Sequence, residues 1–348
     1  MADERILLTG ASGFIAKHVA LQLLEAGYRV RGTVRTEEKG EALRQTLAAN
    51  EADVSRLEIA LADLMGEAGW DAAAAGCDRV CHMASPLPLR QPRDRQALVP
   101  AAKGGALRVV AAAAKAGARR LVMTSSVAAM SYGHGKKHSG VIGEADWSNT
   151  EAPDISPYAI SKTEAEAAAW TAAKAAGLDM VSINPVLVVG PLLDDEPGAS
   201  MQLVRLMMRG RMPAVPAISS GFVDVRDVAA AHVAALGADG AVGRRFLLSA
   251  GTLSLMEVGR AIGSAVPEYR PKLPRFVLPD FVVRLAALVV PDARSVAAEL
   301  GRGKTLVCDP AKAVLGFSPR TPQDATAAAA LSLREKGAVD DRGSRRID

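Results

Sequence analysis

Aromatic side chains make up only 4% of the 348 residues, which disfavours an all-β sandwich, because its strands need bulky residues to fill a core. Cysteine is nearly absent. Cys77, Cys81 and Cys308 form an odd set without a CxxC pair, so neither a disulfide framework nor a cysteine zinc site is expected and the three read as buried free thiols. Long hydrophobic runs are missing too. The start, MADERILLTG, passes from a charged residue into an apolar stretch too short for a signal peptide, and FVVRLAALVV (281–290) is short and interrupted by Arg284. The expectation is a cytoplasmic protein with no membrane partner and no metal. Neither sign of charge dominates: the net charge is +4, with Lys and Arg interleaved among Asp and Glu. That is a poor footprint for nucleic acid, and an anionic small-molecule ligand explains it equally well.

What is present is alanine, an ample apolar content of 49%, and an alternation of two periodicities. RILLT (5–9) reads as a strand, FIAKHVALQLLEAG (14–27) as an amphipathic helix ended by Gly27, and YRVRGTVR (28–35) as the next strand. Helical patterns recur at 37–50, 101–117 and 157–177, with extended runs at 57–63, 78–85, 119–126 and 178–185. Strands joined by crossover helices predict an α/β protein with an open, doubly wound parallel sheet. Beyond Pro185 the rhythm breaks. Residues 191–222 and 252–335 are irregular and proline-rich, and RPKLPRFVLPD (270–280) is too interrupted for regular sheet. The reading is a nucleotide-binding domain over 1–190, rejoined by 223–251, where GRRFLLSAG (243–251) is a buried strand. A smaller mixed lobe follows from the remaining segments, and 336–348 is a flexible polar tail.

TGASGFIA places Gly10, Gly13 and Ala16 directly after the first strand and directly before the first helix. Small residues there permit a tight turn and close approach of backbone to a pyrophosphate, and the helix N-terminus favours an anion. The second strand then selects the nucleotide. Residues 28–36 contain no acid to bind a ribose 2′-hydroxyl, while Arg35 and Lys39 suit a 2′-phosphate. NADP(H) is the expected cofactor, with Glu37 or Glu38 as competitors for the ribose. Asp63 closes the third apolar run and either accepts from an adenine amino group or caps the following segment. Met83, Ala84 and Ser85 close the fourth strand with backbone that can pass under a ribose.

The fifth strand ends in Thr124, Ser125 and Ser126, at the strand end where doubly wound sheets bind ligands. Tyr158 and Lys162 stand four residues apart on the helix that follows, so they share a face. A serine hydroxyl would orient a substrate oxygen, the tyrosine would donate a proton, and the ammonium together with an oxidised nicotinamide would lower the phenol's pKa. In the same helix Glu164 and Glu166 read as plain helical positions.

The stretches LLTGASGFIAKHVALQLLEAGYRVRGTVRTEEK, MASPLPL, LVMTSSVAAM, YAISKTEAEAAAW, INPVLVVGPLL and FVDVRDVAAAH together resemble the extended short-chain dehydrogenases/reductases of the NAD-dependent epimerase/dehydratase superfamily. Within it they are similar to the dihydroflavonol-reductase-like, cinnamoyl-CoA-reductase-like and aldehyde-reductase branch. The likeness runs from residue 6 to about 232, and the later spacing is similar. It implies a Rossmann fold and an NADPH-dependent carbonyl reductase that takes an aldehyde or ketone reversibly to the alcohol, as a monomer or homodimer. The implied catalytic residues are Ser126 (with Ser125 as alternative), Tyr158 and Lys162. The implied cofactor contacts are Thr9, Gly10, Gly13, Phe14 and Ile15 by the pyrophosphate, Arg35 and Lys39 by the 2′-phosphate, Asp63 with Leu64 by the adenine, Met83, Ala84 and Ser85 by the ribose, and Thr124, Tyr158, Lys162, Pro185 and Val188 toward the nicotinamide end. Gly105 departs from the threonine or asparagine usual in relatives.

The implied substrate pocket is apolar, formed by the loops 85–92 and 131–157 and by segments after Pro185. A 3β-hydroxysteroid dehydrogenase or a nucleotide-sugar epimerase/dehydratase on the same fold is the alternative enzyme, and a non-enzymatic NADP sensor the alternative class. His82 and His18 read as core residues, His134 and His138 as solvated, and MQLVRLMMRGRMP (201–213) as core.

Overall fold

The computed structural model describes residues 4–85, 92, 94–134, 140–153, 155–289, 296–297, 300–301 and 303–340. Two compact units are found: Met1–Pro185 with Arg226–Leu248 and Leu306–Ser318, and Val186–Val225 with Ser249–Thr305 and Pro319–Asp348.

The first unit is built on seven strands: β1 (Arg5–Thr9), β2 (Arg29–Val34), β3 (Leu57–Leu61), β4 (Arg79–His82), β5 (Arg120–Thr124), β6 (Asp179–Pro185) and β7 (Arg245–Leu248). All pair in parallel, in the spatial order β7-β6-β5-β4-β1-β2-β3. Helices cover both faces of a parallel sheet, so its central strands read as continuous apolar runs rather than alternating ones. Ile6, Leu7 and Leu8 of β1, and Leu121 and Val122 of β5, are fully buried for that reason. The chain leaves β3 at one edge and restarts at β4 on the other side of β1. This reversal opens a crevice outside the carboxyl ends of β1 and β4, where doubly wound sheets bind ligands.

Among the helices flanking this sheet are α1 (Phe14–Glu25), α2 (Glu37–Ala48), α3 (Val99–Lys115) and α4 (Pro157–Ala176). The sequence signals for α4 are strong. Ser156 caps its N-terminus, with its hydroxyl accepting the Ala159 N–H at 3.2 Å. Pro157 occupies the first turn, where its missing N–H costs nothing, and Gly177 ends the helix at φ +66°. Alanines 159, 165, 169 and 173 are buried, and their small size lets α4 lie close against its neighbours.

In the second unit, Leu187–Val189, Ser219–Asp224 and Gly251–Ser254 form a three-stranded mixed sheet. A capping box between Ser254 and Glu257 starts the helix Leu255–Ala265. Met201, Met207 and Met208 are fully buried, so the methionine run is core. One expectation fails here. Inside RPKLPRFVLPD, Phe276–Leu278 pairs in parallel with Ala214–Pro216, because Pro274 and Pro279 leave a proline-free segment long enough for a short strand. FVVRLAALVV contributes to the helix Asp280–Val289, and no helix among the described residues is long and apolar enough to cross a membrane.

Candidate active site

The loop after β1 is shaped by close approach. Gly10 has φ +64°, and a Cβ there would stand 2.8 Å from the Ala84 Cα, so only glycine lets the first and fourth strand ends meet. On the other side, a Cβ at Gly32 would stand 2.9 Å from the Ala11 Cβ. The Gly13 N–H donates to the Gly10 carbonyl at 2.9 Å, and the Gly10 N–H to Thr33 Oγ1 at 3.1 Å. No side chain caps α1 and its first turn carries no acid, which leaves its N-terminal end suited to an anion. This loop fits a dinucleotide pyrophosphate. Arg35 is exposed at the end of β2, and Lys39 lies in the first turn of α2, which Thr36 caps.

Thr9 ties the crevice together. Its Oγ1 accepts the Met83 and Ala84 N–H groups, both at 3.1 Å, and therefore donates to His82 Nδ1 at 2.8 Å. His82 is buried, and desolvation followed by the nearby Lys162 charge lowers its pKa to about 3. The neutral ring is the core residue expected. His18 packs edge-on against Phe14, whereas His134 hydrogen-bonds the Met130 carbonyl through Nε2 at 2.6 Å rather than facing only water. His138 lies outside the described residues, as do 86–91 in the first expected pocket loop and 135–139 and 154 in the second.

The serine pair divides its work. Ser125 Oγ donates to Glu166 Oε2 at 2.6 Å, whereas Ser126 Oγ accepts the Ala128 N–H at 3.1 Å and faces the Tyr158 phenol, whose pKa it pulls down. The Lys162 Nζ sits 6.0 Å from the centre of the Tyr158 ring. Ser126, Tyr158 and Lys162 are thus brought together near the ends of β4 and β5. In the protein alone the Tyr158 pKa is raised, because burial outweighs the influence of the Ser126 hydroxyl; the lowering expected beside an oxidised nicotinamide belongs to the cofactor complex. Burial also lowers the Lys162 pKa to about 8, against the opposing pull of Glu166.

Other expected cofactor residues have partly committed side chains. Thr124 Oγ1 donates to His232 Nε2 at 2.7 Å, since His232 Nδ1 donates to the Val228 carbonyl at 2.8 Å. Asp63 accepts the Met65 N–H at 2.9 Å in a turn rather than capping a helix, since the next helix starts after Gly69, while its backbone carbonyl takes the Trp70 indole N–H at 3.2 Å. Leu64 packs against Gly105, where a Cβ would stand 2.5 Å from the leucine Cδ2. Gly105 therefore leaves room for the leucine side chain, which a larger residue there would displace. Ile15 lies in the first turn of α1 and Ser85 just beyond β4; Pro185 ends β6, and Val188 is a buried residue of the second unit.

Glu166 is not plain helix. It is fully buried, and its carboxylate accepts from Arg245 Nε at 2.6 Å, Ser125 Oγ at 2.6 Å and Asn184 Nδ2 at 2.9 Å. The missed signal was its spacing from Tyr158 and Lys162, which continues the same helical face for another turn.

Acid stability follows from the buried rings. Burial lowers the His232 pKa to about 4, again from 6.5. Folded protein binds fewer protons than unfolded chain below pH 6.5, so stability is complete above that pH and falls as pH drops. Each ring contributes up to about 1.4 kcal/mol per pH unit. Between pH 6.5 and 4.5 the urea midpoint is expected to fall, and His232→Gln to flatten the fall; a flat wild-type profile contradicts the assignment.

A tight glycine turn at the switch point, with a serine, tyrosine and lysine gathered beside it, defines a dinucleotide-dependent enzyme of the doubly wound class. Residues 6–248 match the NAD dependent epimerase/dehydratase family, and the chain belongs to that family, in its extended short-chain dehydrogenase/reductase branch of reductases. It is 37% identical to cinnamoyl-CoA reductase 1 of Arabidopsis thaliana over 272 residues, 77% of this chain and 76% of that one. It is 35% identical to tetraketide alpha-pyrone reductase 2 of the same plant over 271 residues, 76% of this chain and 83% of the other. Among solved structures it is similar to yeast methylglyoxal/isovaleraldehyde reductase Gre2 complexed with NADPH. The TM-score is 0.80 at 25% identity, covering 96% of this chain and 99% of that one.

Proposed function

We propose that the chain is an NADPH-dependent carbonyl reductase that converts aldehydes or ketones to alcohols, reversibly. The observation that carries this is the gathering of Ser126, Tyr158 and Lys162, with the serine hydroxyl acting on the buried phenol and the lysine on the same helical face. When bound, NADPH supplies a hydride to the carbonyl carbon. Ser126 orients the carbonyl oxygen, and Tyr158 holds the proton that this oxygen takes up. A phenol is protonated at neutral pH, the state an acid needs, and because burial disfavours its phenolate, proton transfer depends on a neighbouring positive charge. Lys162, partly desolvated, supplies a positive charge beside the developing phenolate. Gly10, Gly13 and the N-terminus of α1 receive the pyrophosphate, and Arg35 with Lys39 the 2′-phosphate.

The relatives support this reading through their names: reductases acting on a cinnamoyl thioester, a pyrone and small aldehydes. NADPH consumption with a panel of aldehydes, ketones and a hydroxycinnamoyl thioester tests it. Turnover of a free carbonyl compound is expected, whereas turnover of no carbonyl substrate would sink the proposal.

Arg35→Ala tests the cofactor choice. A guanidinium bonded to a phosphate is worth roughly 1.5–3 kcal/mol, so KM for NADPH should rise about tenfold or more while KM for NADH stays unchanged. Equal kcat/KM for the two cofactors, unaltered by the substitution, would refute the assignment.

A further inference from the structure

Glu166 continues the face of Tyr158 and Lys162 along α4 and is fully buried. An ionised carboxylate at such a position needs nearly every lone pair satisfied, and here four side chains do so. Arg245 of β7 donates through Nε at 2.6 Å and Nη2 at 3.2 Å, Ser125 beyond β5 at 2.6 Å, Asn184 of β6 at 2.9 Å, and Trp170 of α4 at 3.3 Å. Asn184 Nδ2 also donates to the Ser126 carbonyl at 3.2 Å, and the Ser125 N–H to the Ile183 carbonyl at 2.8 Å. The peptide that carries Ser126 is therefore held at its neighbour's hydroxyl, its neighbour's N–H and its own carbonyl.

We propose that Glu166 is a positioning residue for the reductase site, its one buried carboxylate tying the backbone that carries Ser126 to the helix that carries Tyr158 and Lys162. The inference rests on the reductase reading above. Two consequences separate it from a stabilising ion pair alone. The reach of the side chain sets the register between Ser126 and Tyr158, and its charge acts on Lys162. Among the described residues, the titratable groups facing Lys162 are Glu166 and Tyr158 from its own helix and neutral His82 from β4. Burial lowers the lysine's pKa, and of these groups Glu166 opposes that fall. Removing the carboxylate charge must therefore move the Lys162 titration to lower pH.

The test uses three variants of the full chain. Glu166→Gln keeps the shape and removes the charge. Glu166→Gln with Arg245→Gln removes both charges of the pair, which leaves no isolated buried ion and protects folding. Glu166→Asp keeps the charge and shortens the reach. Two readouts are taken: the pH profile of kcat, and the Lys162 titration followed by NMR of lysine-labelled protein, assigned with Lys162→Arg.

Glu166→Gln is expected to shift the Lys162 titration and the alkaline limb of kcat downward by about one pH unit, and the double variant to shift both in the same direction by less, because it also removes the Arg245 charge. Glu166→Asp should lower kcat with the alkaline limb in place. A titration and alkaline limb unmoved in a folded Gln variant, together with unchanged kcat in Glu166→Asp, would overturn the proposal. The NMR titration needs no turnover. If wild type reduces no carbonyl compound, the reductase reading fails while the action of Glu166 on Lys162 is still decided.

Discussion

Tyr158→Phe is expected to lower kcat for carbonyl reduction by about 10³-fold, the range lost when a positioned proton donor is removed. In the proposed mechanism the phenol gives a proton to a carbonyl oxygen oriented by Ser126, the hydroxyl that faces it. The loop at Gly10 and Gly13, proposed to receive the pyrophosphate, is built from the first strand and helix, independently of the phenol hydroxyl, so Kd for NADPH should change little. Steady-state kinetics with fluorescence titration of NADPH make the check. Undiminished turnover in the variant would remove Tyr158 from the mechanism, and a matching loss of NADPH affinity would show that the substitution acts through binding.

Arg245→Met should produce the largest loss of stability. The guanidinium meets the Glu166 carboxylate where the two side chains are only 7% and 0% exposed. It also donates to the Glu144 and Asp146 carbonyls at 3.2 Å and 2.5 Å and lies 3.7 Å over the centre of the Trp147 ring. Methionine fills much of the same volume but leaves a buried carboxylate without its counterion, a change that costs about 3–5 kcal/mol. Urea unfolding should show that loss at neutral pH, and adding Glu166→Gln should recover part of it. A loss below about 1 kcal/mol would mean that Glu166 is readily satisfied by its neutral donors alone.

Most of the sheet was legible because each strand is an apolar run between turn signals. The ends were less so: the extended run at 57–63 forms a strand only to Leu61, since Asp63 turns the chain by accepting the Met65 N–H. The strand at Phe276–Leu278 was hidden by its flanking prolines. Tyr158 and Lys162 could be paired from the helical repeat alone, and the helix bearing them announced itself through Ser156, Pro157 and Gly177. Glu166 shares that helical face one turn on, but the spacing alone does not say what it meets. Nothing near it in sequence says whether that part of the helix meets solvent or an arginine 79 positions further on.

The sequence by itself determined the alternation of strands and helices, the glycine turn, the basic end of β2 and the shared face of Tyr158 and Lys162. All of these are local, set by backbone propensity and by periods of two and 3.6 residues. Only the tertiary structure decided which serine meets the phenol, that burial raises the Tyr158 pKa and lowers that of Lys162, and that Glu166 is a buried anchor. Those depend on desolvation and on partners from β4, β5, β6 and β7, which come together only when the sheet is assembled.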